Sequence, residues 1–301
     1  MHEPATPDGE GGLVRVRAEL SYDGTDFAGW AKQPGQRTVQ GLLEDALAKQ
    51  PPGKRVPRSV VVAGRTDSGV HAAGQVVHFD VEPLDPAQPG RLTVDSDGIP
   101  DLDRVVHRWN RILPPDVRVR SAQKAPLGFD ARFSAMRRHY RYQVSDAAWG
   151  VDPLRRKDTL AWNRPLDVDV LNAAALELLG LHDFAAYCKP REGATTIRDL
   201  QSFTWTRVEE HLIVAEVTAD AFCHSMVRSL VGTLLMAGDG RRRTGWPHEV
   251  LESEVRTTAV APPHGLSLQA IDYPPAEQLA ARAERTRAVR GLGTDPLSYP
   301  G

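Results

Sequence analysis

Hydrophobic and polar positions alternate strictly near the start of the chain. From Val14 to Tyr22 every second residue is apolar, and the residues between them are polar or charged. This period of two predicts a half-buried antiparallel strand. After Thr38 the apolar residues recur every three or four positions as far as Leu47, which predicts a helix that Thr38 caps and Pro51 stops.

The same two periods recur along the rest of the chain. They predict strands at 60–63, 75–79, 117–122, 136–144, 202–208, 212–220 and 266–272, and helices at 102–113, 168–181 and 224–237. A stretch rich in Pro, Asp and Gly, ending near Asp103, is predicted to be a loop. Strands and helices do not alternate regularly, so the pattern favours an α+β fold over a parallel α/β fold.

With 301 residues, the chain is long enough for two domains of ordinary size. We place the boundary near residue 125. This gives an N-terminal lobe at 13–125, a C-terminal lobe at 126–274, and flexible or variable termini at 1–12 and 275–301.

The charge of the whole chain does not point to a nucleic-acid partner, because the formal net charge is only -2 and the pI is about 6.6. The charge is nevertheless uneven. Residues 81–103 are mainly acidic, whereas 104–120, 131–141 and 241–243 are rich in Arg. Basic clusters of this kind can attract phosphates locally, although each one taken alone is more typical of a solvated surface with ordinary ion pairs.

The two cysteines, Cys188 and Cys223, lie far apart and have neither CxxC spacing nor a His-rich set nearby. Their spacing predicts neither a disulfide framework nor a structural zinc site. The sequence shows no apolar leader and no run of membrane-spanning length, so we expect a cytoplasmic protein.

The segment 63–80 holds the most informative chemistry, because Asp67 lies in a turn between Gly64 and Gly69 that is flanked by two apolar runs. Glycines allow the backbone angles of a tight turn, and an extended run would point Arg65 and Asp67 the same way. A nearby cation should keep the carboxylate ionised. The alternative is an ordinary turn in which Asp67 bonds the backbone, and local chemistry alone does not decide between the two.

This segment resembles the signature of the pseudouridine synthases, and its extended form is similar to that of the family called tRNA pseudouridine synthase A. Further blocks resemble the family in the same order along the chain, at 21–30, 38–40, 129–135, 138–142, 222–232 and 265–268. The resemblance covers roughly residues 13–274. Two departures are Ala31, where the family often has Gln, and a longer acidic insertion before Asp103.

The resemblance implies a fold of two similar α+β lobes, with mainly antiparallel sheets that meet at a central cleft and helices on the outer faces. It also implies a homodimeric enzyme that uses no cofactor and no metal. Its reaction would convert uridine to pseudouridine in the anticodon stem-loop of tRNA, at positions 38, 39 and 40. A paired uridine must be flipped out of its stem to reach such a site.

The resemblance also assigns roles to residues. Asp67 would be the catalytic carboxylate, with Arg65 and Arg228 around it and Arg228 as its direct ion-pair partner. Tyr140 would lie against the target base, and Leu266 would form an apolar side of the pocket that holds this base. Apart from the resemblance, the basic side chains that could bind the RNA backbone are Arg132, Arg137, Arg138, Arg141 and 241–243. His71, His78 and His224 could touch the substrate, although a structural role is expected for each.

A carboxylate suits this reaction because it can attack as a nucleophile and later leave. Residue types do not decide whether Asp67 attacks C1′ of the sugar, attacks C6 of the base, or takes a proton from the ribose. Without the resemblance, the residue types favour Tyr140 as a core aromatic and Arg228 as a surface cation.

Two rival functions remain open at this stage. The Asp67 turn superficially resembles that of the aspartic peptidases, but their chemistry needs a second such Asp, and the nearest candidate lies in the acidic loop at 95–98. The other rival is a non-catalytic RNA-binding or chaperone-like protein that uses the same cleft. The presence of Asp67, Arg65, Tyr140 and Arg228 together argues against it.

Overall fold

The structure is a computed structural model that describes residues 12–56, 58–87, 93–191, 195–253, 255 and 259–287. The predictions for 1–11 and 288–301, and the part of the acidic loop at 88–92, lie outside these residues. The described chain divides into two units. Unit 1 contains the residues up to Ala135 together with Ile271–Arg287, and unit 2 contains Met136–Ala270.

Unit 1 is built on an antiparallel sheet in which β1 lies between β3 and β4, and a short β2 pairs with β3. Burial alternates along β1, as its period of two predicts, and its last residue, Tyr22, faces the core. The elements are β1 (Val14–Tyr22), α1 (Val39–Lys49), β2 (Val61–Val62), β3 (His71–Val81), α2 (Leu102–Ile112) and β4 (Val117–Lys124).

Helix α1 begins directly after Thr38, the residue predicted to cap it. The Thr38 side chain accepts a hydrogen bond from the Gly41 amide at the start of α1, and this satisfies one of the free donors of the first turn. Helix α2 presents Trp109 to the sheet, where its ring lies edge-on to Phe79 with the centroids 6.0 Å apart.

The strands of unit 2 pair antiparallel in the order β5-β9-β8-β7, and a short β6 runs parallel to β5. Helix α4 is buried along most of its length. The elements are β5 (Arg137–Ser145), β6 (Leu160–Ala161), α3 (Val168–Leu176), β7 (Gly180–Asp183), β8 (Ile197–Arg207), β9 (Leu212–Ala219), α4 (Met226–Gly238) and α5 (Trp246–Glu252). Strand β10 (Leu266–Asp272) contains the boundary between the units.

The chain ends its described part with α6 (Leu279–Arg287), which belongs to unit 1. The sequence interpretation assigns this segment to a variable terminus. In the structure Leu279 and Ala283 are buried, and the Arg282 guanidinium donates to the carbonyl of Ala135. The divide between the units follows Ala135, ten residues beyond the boundary placed from composition.

One predicted helix is too long. The pattern at 168–181 predicts a single helix, but α3 ends at Leu176, and Gly180, with a positive φ of 106°, begins β7 four residues later. The pattern does not predict α5, which contacts α3 and α4.

The two cysteines correct the expectation drawn from their spacing. Cys188 and Cys223 form a disulfide, with their Cα atoms 5.7 Å apart. Sequence separation says nothing about distance in the fold, and here the amide of Lys189 also donates to the carbonyl of His224, which fixes the same two segments together. Among the described helices, none is both long enough and apolar enough to span a membrane.

Candidate active site

Asp67 lies in the short connection between β2 and β3 of unit 1. Its carbonyl accepts a hydrogen bond from the Val70 amide at 3.2 Å, which closes a turn, and Gly69 has a positive φ of 77°. Such a φ is rare for residues with a side chain. Arg65 is exposed, Thr66 is buried and Asp67 is half-buried, so burial alternates along this run and the acid is displayed at the edge of the unit rather than enclosed in its core.

The turn is held by the segment that follows β1. The Gly69 amide and the Ser68 hydroxyl both donate to the carbonyl of Phe27, at 3.3 and 3.0 Å. The Trp30 amide donates to the carbonyl of Thr66 at 3.1 Å. Residues on both sides of Asp67 are therefore bonded to one neighbouring loop.

Two glycines allow this close approach. A Cβ atom on Gly29, whose φ is +97°, would lie 2.9 Å from the Thr66 carbonyl oxygen, and a Cβ on Gly24 would collide with the carbonyl of Val70. Only glycine fits such contacts without displacing the backbone. The glycines of the block at 21–30 thus act on the same turn that holds Asp67.

Histidines beside this turn have structural contacts. Nδ1 of His71 accepts a hydrogen bond from the Gly24 amide at 3.0 Å, and Nδ1 of His78 accepts one from the Ala131 amide at 2.9 Å. Burial lowers the pKa of His78 to about 4, and the positive charge of Arg15 adds to the effect. Both contacts agree with the structural roles expected from the sequence, whereas His224 is exposed.

Tyr140 lies in β5 of unit 2, opposite Val217 of β9. Its side chain is buried, and its ring meets that of Phe222 edge-on with the centroids 5.1 Å apart. Phe222 was not singled out as a site residue, although it opens the block at 222–232 that resembles the family. An edge-on aromatic partner fixes the plane of the Tyr140 ring.

Arg228 lies in the first turns of α4 and is half-buried. Its Nε donates to the carbonyl of Ala261 at 2.7 Å, and the Ala261 amide donates back to the carbonyl of Arg228 at 3.0 Å. These two bonds fix the segment before β10 against α4. The start of α4 is unusual, because Ser225 takes a positive φ of 63°.

The segment that leads to Leu266 also contacts β5. The Tyr142 hydroxyl donates to the carbonyl of Pro262 at 2.8 Å, and a Cβ on Gly265 would lie 2.6 Å from the Tyr142 ring. Burial raises the pKa of Tyr142, which is fully enclosed, as expected for a core residue. Within unit 2, the start of α4 and Tyr142 therefore both contact the segment that leads to the buried Leu266.

The predicted site residues are divided between the units. Unit 1 holds Asp67 and Arg65, and unit 2 holds Tyr140, Arg228 and Leu266. In the described parts of both, no group of three or more His, Cys, Asp or Glu side chains is arranged to hold a metal ion.

The arginines proposed to contact RNA differ in their surroundings. Arg132 is exposed, with its guanidinium 5.1 Å from the centre of the Phe133 ring. Arg141 is half-buried and pairs with Glu216 at 3.1 Å. Arg138 is only 7% exposed, and its guanidinium donates to the carbonyl of Asp220 at 2.6 Å, so it has a structural contact inside unit 2.

The cluster at 241–243 is exposed. Two of its guanidinium groups lie over indole rings, Arg241 over Trp162 at 5.0 Å and Arg242 over Trp246 at 4.9 Å. Stacking on an indole holds a guanidinium in place while one of its faces stays open to solvent.

Comparisons with known proteins match most of the chain. The family model described as tRNA pseudouridine synthase matches residues 18–134 and 174–274. A protein of Frankia casuarinae named tRNA pseudouridine synthase A is 55% identical over 282 residues, which cover 93% of this chain and 96% of that protein. Proteins of the same name from Streptomyces avermitilis and Mycobacterium leprae are 52% and 51% identical, covering 93% and 92% of this chain and 95% and 96% of the relatives.

Proposed function

The chain belongs to the tRNA pseudouridine synthase family, and from this premise we propose that it isomerises uridine to pseudouridine at positions 38, 39 and 40 of the tRNA anticodon stem-loop. The enzyme would work in the cytoplasm as a homodimer and without a cofactor. The choice of uridine and the dimer are proposed from the family resemblance.

The main observation that supports a catalytic role for Asp67 is the structure of its turn. A half-buried carboxylate sits where glycines allow tight packing, with its neighbours on both sides bonded to the loop at 24–30. A fixed carboxylate can attack the substrate and later leave, which divides the breaking of the glycosidic bond into easier steps. The attack at C1′, the attack at C6 and the removal of a ribose proton all use this same carboxylate.

From the family resemblance we also propose roles for residues of unit 2. Arg228, whose Nε donates to the Ala261 carbonyl, is the proposed ion-pair partner of Asp67, and exposed Arg65 is the second cation. Tyr140, held by Phe222, would stack on the flipped base and help move the C5 proton. Leu266 would keep water from the detached uracil.

Binding of the tRNA backbone is assigned to the exposed basic side chains. Arg132 and the cluster at 241–243 are exposed, and Arg141 lies on the surface in an ion pair that a phosphate can replace. Phosphate contacts position a nucleic acid without reading its sequence. They would anchor the stem-loop while the uridine is flipped out of its stem.

The test is Asp67→Asn assayed on transcribed tRNA labelled with tritium at C5 of uridine. Loss of the carboxylate should abolish tritium release, with a rate at least about 1000-fold below wild type, because the nucleophile itself is removed. Affinity for the tRNA should stay within about threefold, since phosphate contacts supply most of the binding. Mass spectrometry of the product tRNA locates the modified positions.

The matched control is Asp45→Asn, which removes an exposed carboxylate on α1 and should release tritium at the wild-type rate. Retained turnover in Asp67→Asn would contradict the catalytic assignment. If wild type binds tRNA without releasing tritium, the non-catalytic RNA-binding protein is the better interpretation.

A further inference from the structure

A buried chain of hydrogen bonds lies directly under the Asp67 turn, and nothing in the mechanism above uses it. The side-chain oxygens of Tyr22 and Thr66 are 2.8 Å apart. The Gln75 amide nitrogen donates to the Tyr22 hydroxyl at 3.2 Å and to the carbonyl of Gly64 at 2.8 Å. All three side chains are buried, with exposures of 5%, 6% and 0% for Tyr22, Thr66 and Gln75.

The protonation state of Tyr22 suits this chain. Burial raises its pKa to about 12, so the phenol keeps its proton at neutral pH. Because its oxygen accepts from Gln75, its proton is available for the Thr66 hydroxyl. The chain therefore links strands β1 and β3 to the residue immediately before Asp67.

Thr66 is fixed at two points. Its side chain meets Tyr22, and its carbonyl accepts from the Trp30 amide. Gly64, two residues earlier, is held by Gln75. On the other side of Asp67, both Ser68 and Gly69 donate to Phe27. The residues directly before and after Asp67 are therefore both fixed by hydrogen bonds.

We infer that Tyr22 and Thr66 are positioning residues for Asp67, an inference that rests on the proposed function. A reacting carboxylate must be held in its attack geometry, and a displacement of about 1 Å can cost about 100-fold in rate. Loss of the hydrogen bond between the Tyr22 and Thr66 hydroxyls allows the Thr66 side chain to move. The Asp67 side chain is then no longer held in one direction, while the RNA-binding surface stays intact.

The experiment compares Tyr22→Phe, Thr66→Val and Thr66→Ser in single-turnover tritium release. Tyr22→Phe and Thr66→Val should each lower the rate constant about tenfold, with the dissociation constant for tRNA within about twofold of wild type. Thr66→Ser keeps the hydroxyl and should recover the rate to within about twofold. Because both variants break the same Tyr22–Thr66 contact, the double variant should be no slower than the slower single variant.

The matched control is Tyr187→Phe. Tyr187 is also fully buried, and its hydroxyl donates to the carbonyl of Pro247 in unit 2. This variant should lower the melting temperature while the rate constant stays at the wild-type value. If Tyr22→Phe and Thr66→Val also lose only stability, the inference is overturned.

Amide hydrogen exchange separates failure of this inference from failure of the proposed function. In Tyr22→Phe and Thr66→Val, the amides of Ser68 and Gly69 should exchange about tenfold faster than in wild type, and in Tyr187→Phe they should not. This result is independent of tritium release, so it still supports the positioning role if wild type is inactive. Unchanged exchange would overturn the role even if wild type is active.

Discussion

The position of the Asp67 carboxylate depends on residues that are distant in sequence and close in the fold. The glycine-bracketed motif predicts the Asp67 turn, and the alternating burial of Arg65, Thr66 and Asp67 follows from an extended run. The motif does not predict the bonds to Phe27 and Trp30, because those residues lie about forty positions earlier and approach only when the unit folds.

Two neighbouring arginines have separate predicted roles. Arg132→Gln removes an exposed cation and should weaken tRNA binding about threefold to tenfold. The slope of log binding constant against log salt concentration, here called the salt slope, should become about one smaller in magnitude. Arg138→Gln removes a buried donor to the Asp220 carbonyl and should cost about 2 kcal/mol of unfolding free energy, with the salt slope unchanged. Filter binding across salt concentrations and thermal melting measure the two effects.

Each arginine variant is the control for the other, because both replace Arg by Gln at positions only six residues apart in the sequence. A reduced salt slope in Arg138→Gln together with a wild-type slope in Arg132→Gln would reverse the two assignments.

At the scale of elements, local pattern predicts most segments but not their ends. β1 and the start of α1 agree with the alternation and with the Thr38 cap. β3 is longer than its predicted core at 75–79, extending from His71 to Val81. It pairs with β1 from Ala72 to Val81, with one irregularity between Leu20 and Tyr22 of β1, and that partner cannot be read from the strand itself.

β3 gives the protein a predicted acid sensitivity through His78. Its pKa falls from 6.5 to about 4 because of burial. Between these values the unfolded state binds the proton and the folded state does not, so the unfolding free energy falls as pH decreases through this window, by at most about 3 kcal/mol. The nearby carboxylates of Asp80 and Asp130 oppose the shift without reversing it.

Chemical denaturation of wild type and His78→Asn at several pH values measures this contribution. The Asn oxygen can still accept from the Ala131 amide, and the variant should lose less unfolding free energy between pH 6.5 and pH 4. His107→Asn replaces an exposed histidine on α2 and should keep the wild-type slope. Equal slopes in wild type and His78→Asn would refute the role of His78.

At the scale of the whole molecule, net charge does not predict the binding partner, and the spacing of the cysteines does not predict their pairing. A formal charge of -2 gives no indication of an RNA partner, yet exposed arginines remain at 132 and 241–243 because charge is distributed by the fold rather than averaged over it. The disulfide between Cys188 and Cys223 likewise joins positions whose separation of 35 residues gave no sign of it.

The proposed homodimer is tested on the intact protein. Light scattering at the enzyme concentration of the assay should give about twice the chain mass of 33.0 kDa, and the value should persist on dilution to the micromolar range because a stable homodimer buries a large interface. An active species with the mass of one chain would contradict the proposal.

The sequence by itself determined the features that depend on neighbours along the chain. These are the alternation of β1, the cap of α1, the glycine turn around Asp67 and the motifs that resemble one family. The tertiary structure alone decided which distant residues meet, such as Tyr22 with Thr66 and Arg138 with Asp220. The physical reason is that local period fixes the face a residue presents, whereas its partner and burial depend on which segment packs against that face.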